Sequence, residues 1–192
     1  IYQCDWSSDV CSSDLRMSRL APIAPEQRTP AQAAVVKDIE ARGGRLSGPY
    51  TAYIRIPEFM DLNQRMGDYL RKNTLAPRLR SLIVLRTVGH WGAKYAWAVN
   101  KRSALKEGMA EAVIDAIEQG REPEGLDAKD RAVLQVATEL LQTKQVSDAT
   151  YRSAVELFGE NGMADIVATT GFYSMVSFTL NAFEVDPPKE AR

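Results

Sequence analysis

Apolar residues recur along this chain at the three-and-four spacing of helices, and no stretch shows the alternation of a strand. Thr29-Pro30 supplies an N-cap and a first helical residue, opening a helix expected to reach about residue 42, where Gly43-Gly44 stops it. An irregular loop is expected over 45–53, around Gly48-Pro49. Pro57 opens a second helix, on which Phe59, Leu62, Met66, Tyr69 and Leu70 form the apolar stripe. After a break at 74–77, Leu79, Leu82, Ile83, Leu85 and Val88 make a helix apolar enough to be buried around most of its circumference. A bend is expected at 89–92. The helix after it, 93–107, has an unusually small face made by Ala93, Ala96, Trp97, Asn100 and Ala104.

The C-terminal half continues in the same way. A short amphipathic helix is expected over 109–118, closed by Gly120. Asp127 caps a longer one, with Asp130 in its first turn and Ala132, Val133, Val136, Leu140 and Leu141 inward. Ser147 caps the next, which turns Tyr151, Ala154, Val155 and Phe158 to the core, and a last helix spans about 164–183 before Pro187-Pro188. The expected fold is all-α, a single-domain helical bundle without repeats. The charge-rich stretches 121–124 and 127–131 read as solvated surface.

Composition narrows the function. A chain of 192 residues with 45% hydrophobic and 26% charged residues is an ordinary soluble domain. Its net charge of -1 gives no long-range pull toward nucleic acid or an anionic membrane, so neither is an expected partner. No apolar run has membrane-spanning length; even 166–178 is interrupted by Thr169, Thr170, Gly171 and Ser174. A cytoplasmic protein is expected. Residues 1–16 read as foreign to the domain at 17–192: a Ser-Ser-Asp-aliphatic unit occurs twice, and the string resembles the translation of a sequencing adapter. Both cysteines, Cys4 and Cys11, fall in that leader. With no thiol after Met17 and His90 as the single imidazole, disulfide, redox-pair and metal sites are not expected, nor is a cofactor.

Four strings together resemble the carboxymuconolactone decarboxylase and alkylhydroperoxidase-D-like family, over essentially all of 17–188. They are Pro77-Arg78-Leu79-Arg80-Ser81-Leu82-Ile83-Val84-Leu85-Arg86, His90-Trp91-Gly92-Ala93-Lys94-Tyr95-Ala96-Trp97, Val146-Ser147-Asp148-Ala149-Thr150-Tyr151 and Leu180-Asn181-Ala182-Phe183-Glu184-Val185. The resemblance implies an alkylhydroperoxidase-D-like helical bundle that assembles as a homo-oligomer, a trimer or hexamer, with pockets near subunit contacts. It also implies one of two chemistries. In the peroxidase branch a cysteine pair, a histidine and an upstream glutamate act together; these positions hold Ala93, Ala96, Asn100 and Ser81 here, and alanine carries no thiolate. Thiol peroxidase chemistry is therefore not expected. In the decarboxylase-like branch the same helix reads Tyr-Glu-Trp-x-x-His. This chain keeps Tyr95 and Trp97 but replaces the glutamate with Ala96 and the histidine with Asn100, which removes that branch's proton relay.

The candidates that remain are few. His90 is a candidate relocated acid or base, set against the plainer role of a bend residue holding a carbonyl. Asn100 can fix a carbonyl or carboxylate, or serve as an ordinary helix amide. Ser81, Arg86, Tyr95, Ala96, Trp97 and Tyr173 are the expected substrate pocket, with Arg86 either clamping a carboxylate or paired internally. Trp91 and Phe172 join them as an aromatic wall or as core. The expected activity is a cofactor-free lyase or isomerase acting by proton transfer on a small organic acid or lactone. The alternative is a non-catalytic oligomer that binds a ligand or partner through the same pocket.

Overall fold

Thr29 starts the first long helix by a reciprocal cap: its side chain accepts from the Gln32 backbone while the Gln32 side chain accepts from the Thr29 backbone. The computed structural model describes residues 18–188; the expected leader over 1–16, with its two thiols, lies outside them. The helices are α1 (Pro30–Ala41), α2 (Tyr50–Tyr53), α3 (Pro57–Leu70), α4 (Pro77–His90), α5 (Lys94–Lys106), α6 (Glu111–Glu118), α7 (Ala128–Gln142) and α8 (Asp148–Ala182), after a short 3-10 turn at Pro25–Gln27. No strand occurs among the described residues, as the spacing requires. None of these helices is long and apolar enough to cross a membrane.

α4 is the axis of the bundle and packs against α5, α6, α7 and α8. Its Leu82, Ile83, Leu85 and Val88 are completely buried, consistent with a helix that is apolar nearly all round. Burial of each such side chain contributes about 1.5–3 kcal/mol. A second cluster, from Val35, Val36 and Ile39 through Tyr53 to Met60, pins α1 and α2 against α3.

Several sequence expectations are corrected. α2 interrupts the expected loop over 45–53, and Tyr53 there is buried with its hydroxyl 2.7 Å from Thr179 Oγ1. On α3 the buried face is Met60, Asn63, Gln64, Gly67 and Leu70, so Leu62, Met66 and Tyr69 point outward. Tyr69 is held there because its hydroxyl donates to Asp165 on α8. α4 continues through the expected bend to His90; the reversal is confined to the residues up to Ala93, where Gly92 takes the left-handed φ of 60° that favours glycine. The last two expected helices run together as α8, broken only at Gly159 (φ 68°, ψ 175°). Tyr151 on it is exposed rather than inward. Asp130 is not solvated surface: it is 2% exposed and accepts two bonds from Arg78 Nε and one, at 2.8 Å, from its Nη2.

The start of α8 also depends on a carboxylate. Glu139 accepts from Gln135 Nε2, from the Ser147 backbone and hydroxyl, and from Thr150 Oγ1. These donors, Gln135 foremost, hold its pKa at about 2. A native pKa below the unfolded one means the contribution is complete above the unfolded value of about 4.3 and is lost as pH falls toward the native value. Glu139→Gln is therefore expected to lower thermal stability near pH 7 and to flatten its loss between pH 5 and pH 2, so that the gap to wild type closes as pH falls, read by circular dichroism melts across that range.

Candidate functional site

The spacing along α4 divides its polar residues between two sides. Ser81 and Arg86 are five positions apart, roughly 140° around the helix axis. The first side, Pro77, Arg80, Ser81 and Val84, faces a cavity of about 290 Å³ that α5 and α8 close. The second, Arg86, Gly89 and His90, faces a separate depression of about 110 Å³ against α6 and α7.

α5 contributes Asn100, Ser103 and Glu107 to the larger cavity, at the i, i+3, i+7 spacing of one helical face. Ser81 Oγ donates to Glu107 Oε2 at 2.7 Å, so the serine on α4 is bonded to a carboxylate delivered from the end of α5. Asn100 donates to the Ala96 carbonyl at 2.7 Å, which orients its amide and leaves its oxygen free to accept. α8 adds Thr169 and Tyr173. Burial pushes the Tyr173 phenol above its ordinary range, against the opposing pull of Arg71 and Arg80. The hydroxyl is a donor at neutral pH.

Two guanidinium groups complete the lining. Arg71 pairs with Asp68. Arg80 instead bonds the Leu75 carbonyl and, at 3.5 Å, Asn73 Oδ1, both neutral acceptors. Its charge is not spent on a carboxylate among the described residues. The cavity thus combines a cation, a carboxylate, a protonated phenol and an amide within a space that fits a small polar molecule.

The sequence candidates separate accordingly. Ser81, Asn100 and Tyr173 meet at the larger cavity. Ala96 is 4% exposed, and Ala93 is fully buried, both packed against Phe172 and Val176 of α8; Tyr95 and Trp97 pack on the same cluster. Trp91 donates to Ser174 Oγ and stacks edge-on with Phe178. His90 is exposed at the end of α4, its ring edge-on to Trp91 at 4.7 Å. Arg86, beside it, donates to the Arg121 carbonyl at 3.1 Å, while its Nε is buried without a hydrogen-bond partner. Burial lowers the Arg86 pKa, and Glu122 opposes that shift. No carboxylate pairs with Arg86 among the described residues, so the expected internal ion pair is replaced by a bond to backbone.

Arg80 and Glu107 were not among the sequence candidates. For Glu107 the signal was present: it stands seven residues after Asn100, on the same helical face. Arg80 gave no such signal, because nothing in sequence distinguishes a cavity arginine from Arg78, which pairs with Asp130. Among the described residues no cluster of three or more histidine, cysteine or acidic side chains is disposed to hold a metal.

Comparison with known proteins follows the same lines. Residues 57–142, from the start of α3 to the end of α7, match the model of the Carboxymuconolactone decarboxylase family. No curated protein is detectably similar in sequence. Among solved structures, a peroxidase-related protein with an alkylhydroperoxidase AhpD core from Ralstonia eutropha JMP134 superposes with a TM-score of 0.75 at 16% identity, over 91% of this chain and 94% of that one. A peroxidase-related protein from Silicibacter sp. TM1040 gives 0.69 at 17% identity, over 92% of each chain. The debrominase Bmp8 gives 0.71 at 13% identity, over 89% of this chain and 92% of that one. At these identities the likeness is one of fold.

Proposed function

We propose, from the premise that over residues 57–142 the chain belongs to the carboxymuconolactone decarboxylase family, that it is a cofactor-free enzyme moving a proton on a small organic acid or lactone. The observation that carries this reading is the Ser81–Glu107 pair in the larger cavity. The acid–base side chains that the decarboxylase-like pattern places at 96 and 100 are absent, yet a carboxylate reaches the same cavity from one turn past Ser103.

Arg80 binds the substrate's carboxylate, and Tyr173 donates to its carbonyl oxygen as negative charge develops there. Glu107 takes the proton from the carbon next to that carbonyl, and its conjugate acid returns a proton to the product carbon. Ser81 holds the carboxylate in place, and Asn100 orients the bound molecule by its free amide oxygen. His90 and Arg86 take no part, since they face the other side of α4. Thiol peroxidase or cysteine-dependent chemistry has no place in this reading. Bmp8 was also crystallised as a cysteine-to-alanine variant with 2,3,4-tribromopyrrole, and Ala93 and Ala96 offer only methyl groups where the peroxidase branch carries its cysteine pair.

A binding protein without turnover is the second reading, favoured by the burial of Ala93 and Ala96 in packing. One experiment separates the two. Carboxylated lactones and 3-oxo acids are titrated calorimetrically and assayed for turnover with wild type and Arg80→Ala. Loss of one charge-assisted pairing, about 1.5–3 kcal/mol, is expected to weaken binding by roughly 10- to 150-fold. Binding without turnover supports the second reading. Equal affinities for both proteins reject this cavity as the carboxylate site.

A further inference from the structure

We infer that the depression on the far side of α4, where Arg86 and His90 face the last turns of α7, is a binding site for a small oxyanion, a carboxylate or a phosphate. The inference is independent of the chemistry proposed for the larger cavity. Arg86 and His90 stand one turn apart on α4, and Thr138 and Gln142 one turn apart on α7, so each pair shares a helical face. Together with the apolar Ile117 and Leu141, these four side chains line about 110 Å³ of space. At roughly 30 Å³ per water molecule that is room for about four waters, hence for a molecule the size of acetate or phosphate.

The four polar side chains carry donors that the protein leaves unused. Arg86 stays charged at any physiological pH and has five N–H donors in a planar fork. It spends one, on Nη2, at the Arg121 carbonyl, and its Nε is buried without an acceptor. The carbonyls ending α4 and α6 are taken by the turns that follow: Thr87 by the Trp91 N–H, Val88 by Ala93, Ala116 by Arg121 and Ile117 by Gly120. Thr138 is unusual in the same sense. Thr87, Thr169 and Thr170 each donate to the carbonyl four residues back, whereas Thr138, equally inside a helix, makes no such bond among the described residues. The side chains of His90 and Gln142 also lack a hydrogen-bond partner among the described residues. A half-buried cation and unmatched donors are costly, and an acceptor from outside removes that cost.

The surrounding carboxylates do not fill this role. Glu118, on the rim, turns to Lys101 Nζ at 3.7 Å, and Glu122 acts on Arg86 without bonding to it. A carboxylate or phosphate accepts a bidentate pair from the guanidinium, and the Thr138 hydroxyl and Gln142 amide donate to its remaining oxygens.

His90 is the only imidazole of the chain, so its ring resonances report on this depression alone. The untagged full-length protein is titrated by NMR at pH 7 with sodium acetate and with sodium phosphate, ionic strength being held constant with sodium chloride. The His90 resonances are expected to move saturably, with a Kd on the order of 1 mM. Arg86→Gln is expected to weaken the response roughly 10-fold or more, and Thr138→Val about five-fold. Arg80→Ala is expected to respond as wild type, which separates this site from the larger cavity. A response to acetate alone assigns a carboxylate ligand, and one to phosphate alone assigns a phosphate. Should Arg86→Gln lose its helical circular dichroism, Thr138→Val and Gln142→Ala carry the test. Resonances that answer acetate and phosphate no more than chloride overturn the inference, as do wild-type affinities in both α7 variants or a response abolished by Arg80→Ala.

Discussion

Asp165→Ala is expected to cost about 3 kcal/mol of stability, because it removes a buried acceptor serving three donors at once. The carboxylate is 3% exposed and accepts from the Tyr69 hydroxyl at 2.7 Å, the Thr74 backbone at 2.9 Å and the Thr74 hydroxyl at 2.7 Å. Those bonds tie the link between α3 and α4 to α8, and with it the lip of the cavity where Arg71 and Pro77 sit. In a domain of this size a loss of about 3 kcal/mol lowers the melting temperature by roughly 6–12 °C. Urea titration of both proteins measures it directly.

The same group makes this loss dependent on pH. Burial works against ionisation of Asp165, but the bonds from Thr74 and Tyr69 outweigh it and hold the carboxyl below its usual range. A depressed native pKa stabilises the fold above the unfolded value, about 3.9, and that stabilisation disappears as pH drops through the native value. The gap between wild type and Asp165→Ala is therefore expected to be widest near neutrality and to narrow below pH 4. A gap that stays constant from pH 7 to pH 3 would show that packing, not the ionised carboxylate, is lost in the variant.

The second large effect falls on catalysis. Glu107→Gln keeps the shape and an acceptor for Ser81 Oγ but cannot take up a proton, so kcat is expected to fall by roughly 10²–10⁴-fold, the usual contribution of a positioned general base. KM is expected to change little, because binding rests on Arg80. Steady-state kinetics on the lactone or oxo acid selected by the binding titrations gives both numbers. A KM effect alone would make Glu107 a binding group.

How much of this was legible in the sequence depends on the period of each segment. α4, α5 and α7 declare themselves because their apolar residues keep the 3.6-residue period, and the caps Asp127 and Ser147 mark the starts of α7 and α8. The buried face of α3 was misjudged because that helix is amphipathic in two directions: Asn63, Gln64 and Gly67 go inside, where Gly67 brings the helix against Phe172, and Leu62 and Met66 are left out. Asp130 was misread since a charge run looks solvated until its long-range partner, Arg78, is known. The candidate site shows the same limit. Ser81 and Asn100 are located by the family resemblance, as the positions where relatives carry a glutamate and a histidine, and Tyr173 by its hydroxyl-bearing ring. The division of α4's polar residues between two sides, with Arg86 and His90 on the far one, follows from the packing of α6 and α7 on one flank and α5 on the other, which no local pattern encodes.

Deuterium incorporation from D2O into carboxylated lactones and 3-oxo acids, followed by NMR for wild type, His90→Ala and Glu107→Gln, is the decisive measurement. His90→Ala is expected to exchange at the wild-type rate and Glu107→Gln at close to the buffer rate. Loss of exchange in His90→Ala with Glu107→Gln unaffected, or a wild type no faster than buffer on every compound, contradicts a proton-transfer site built around Glu107.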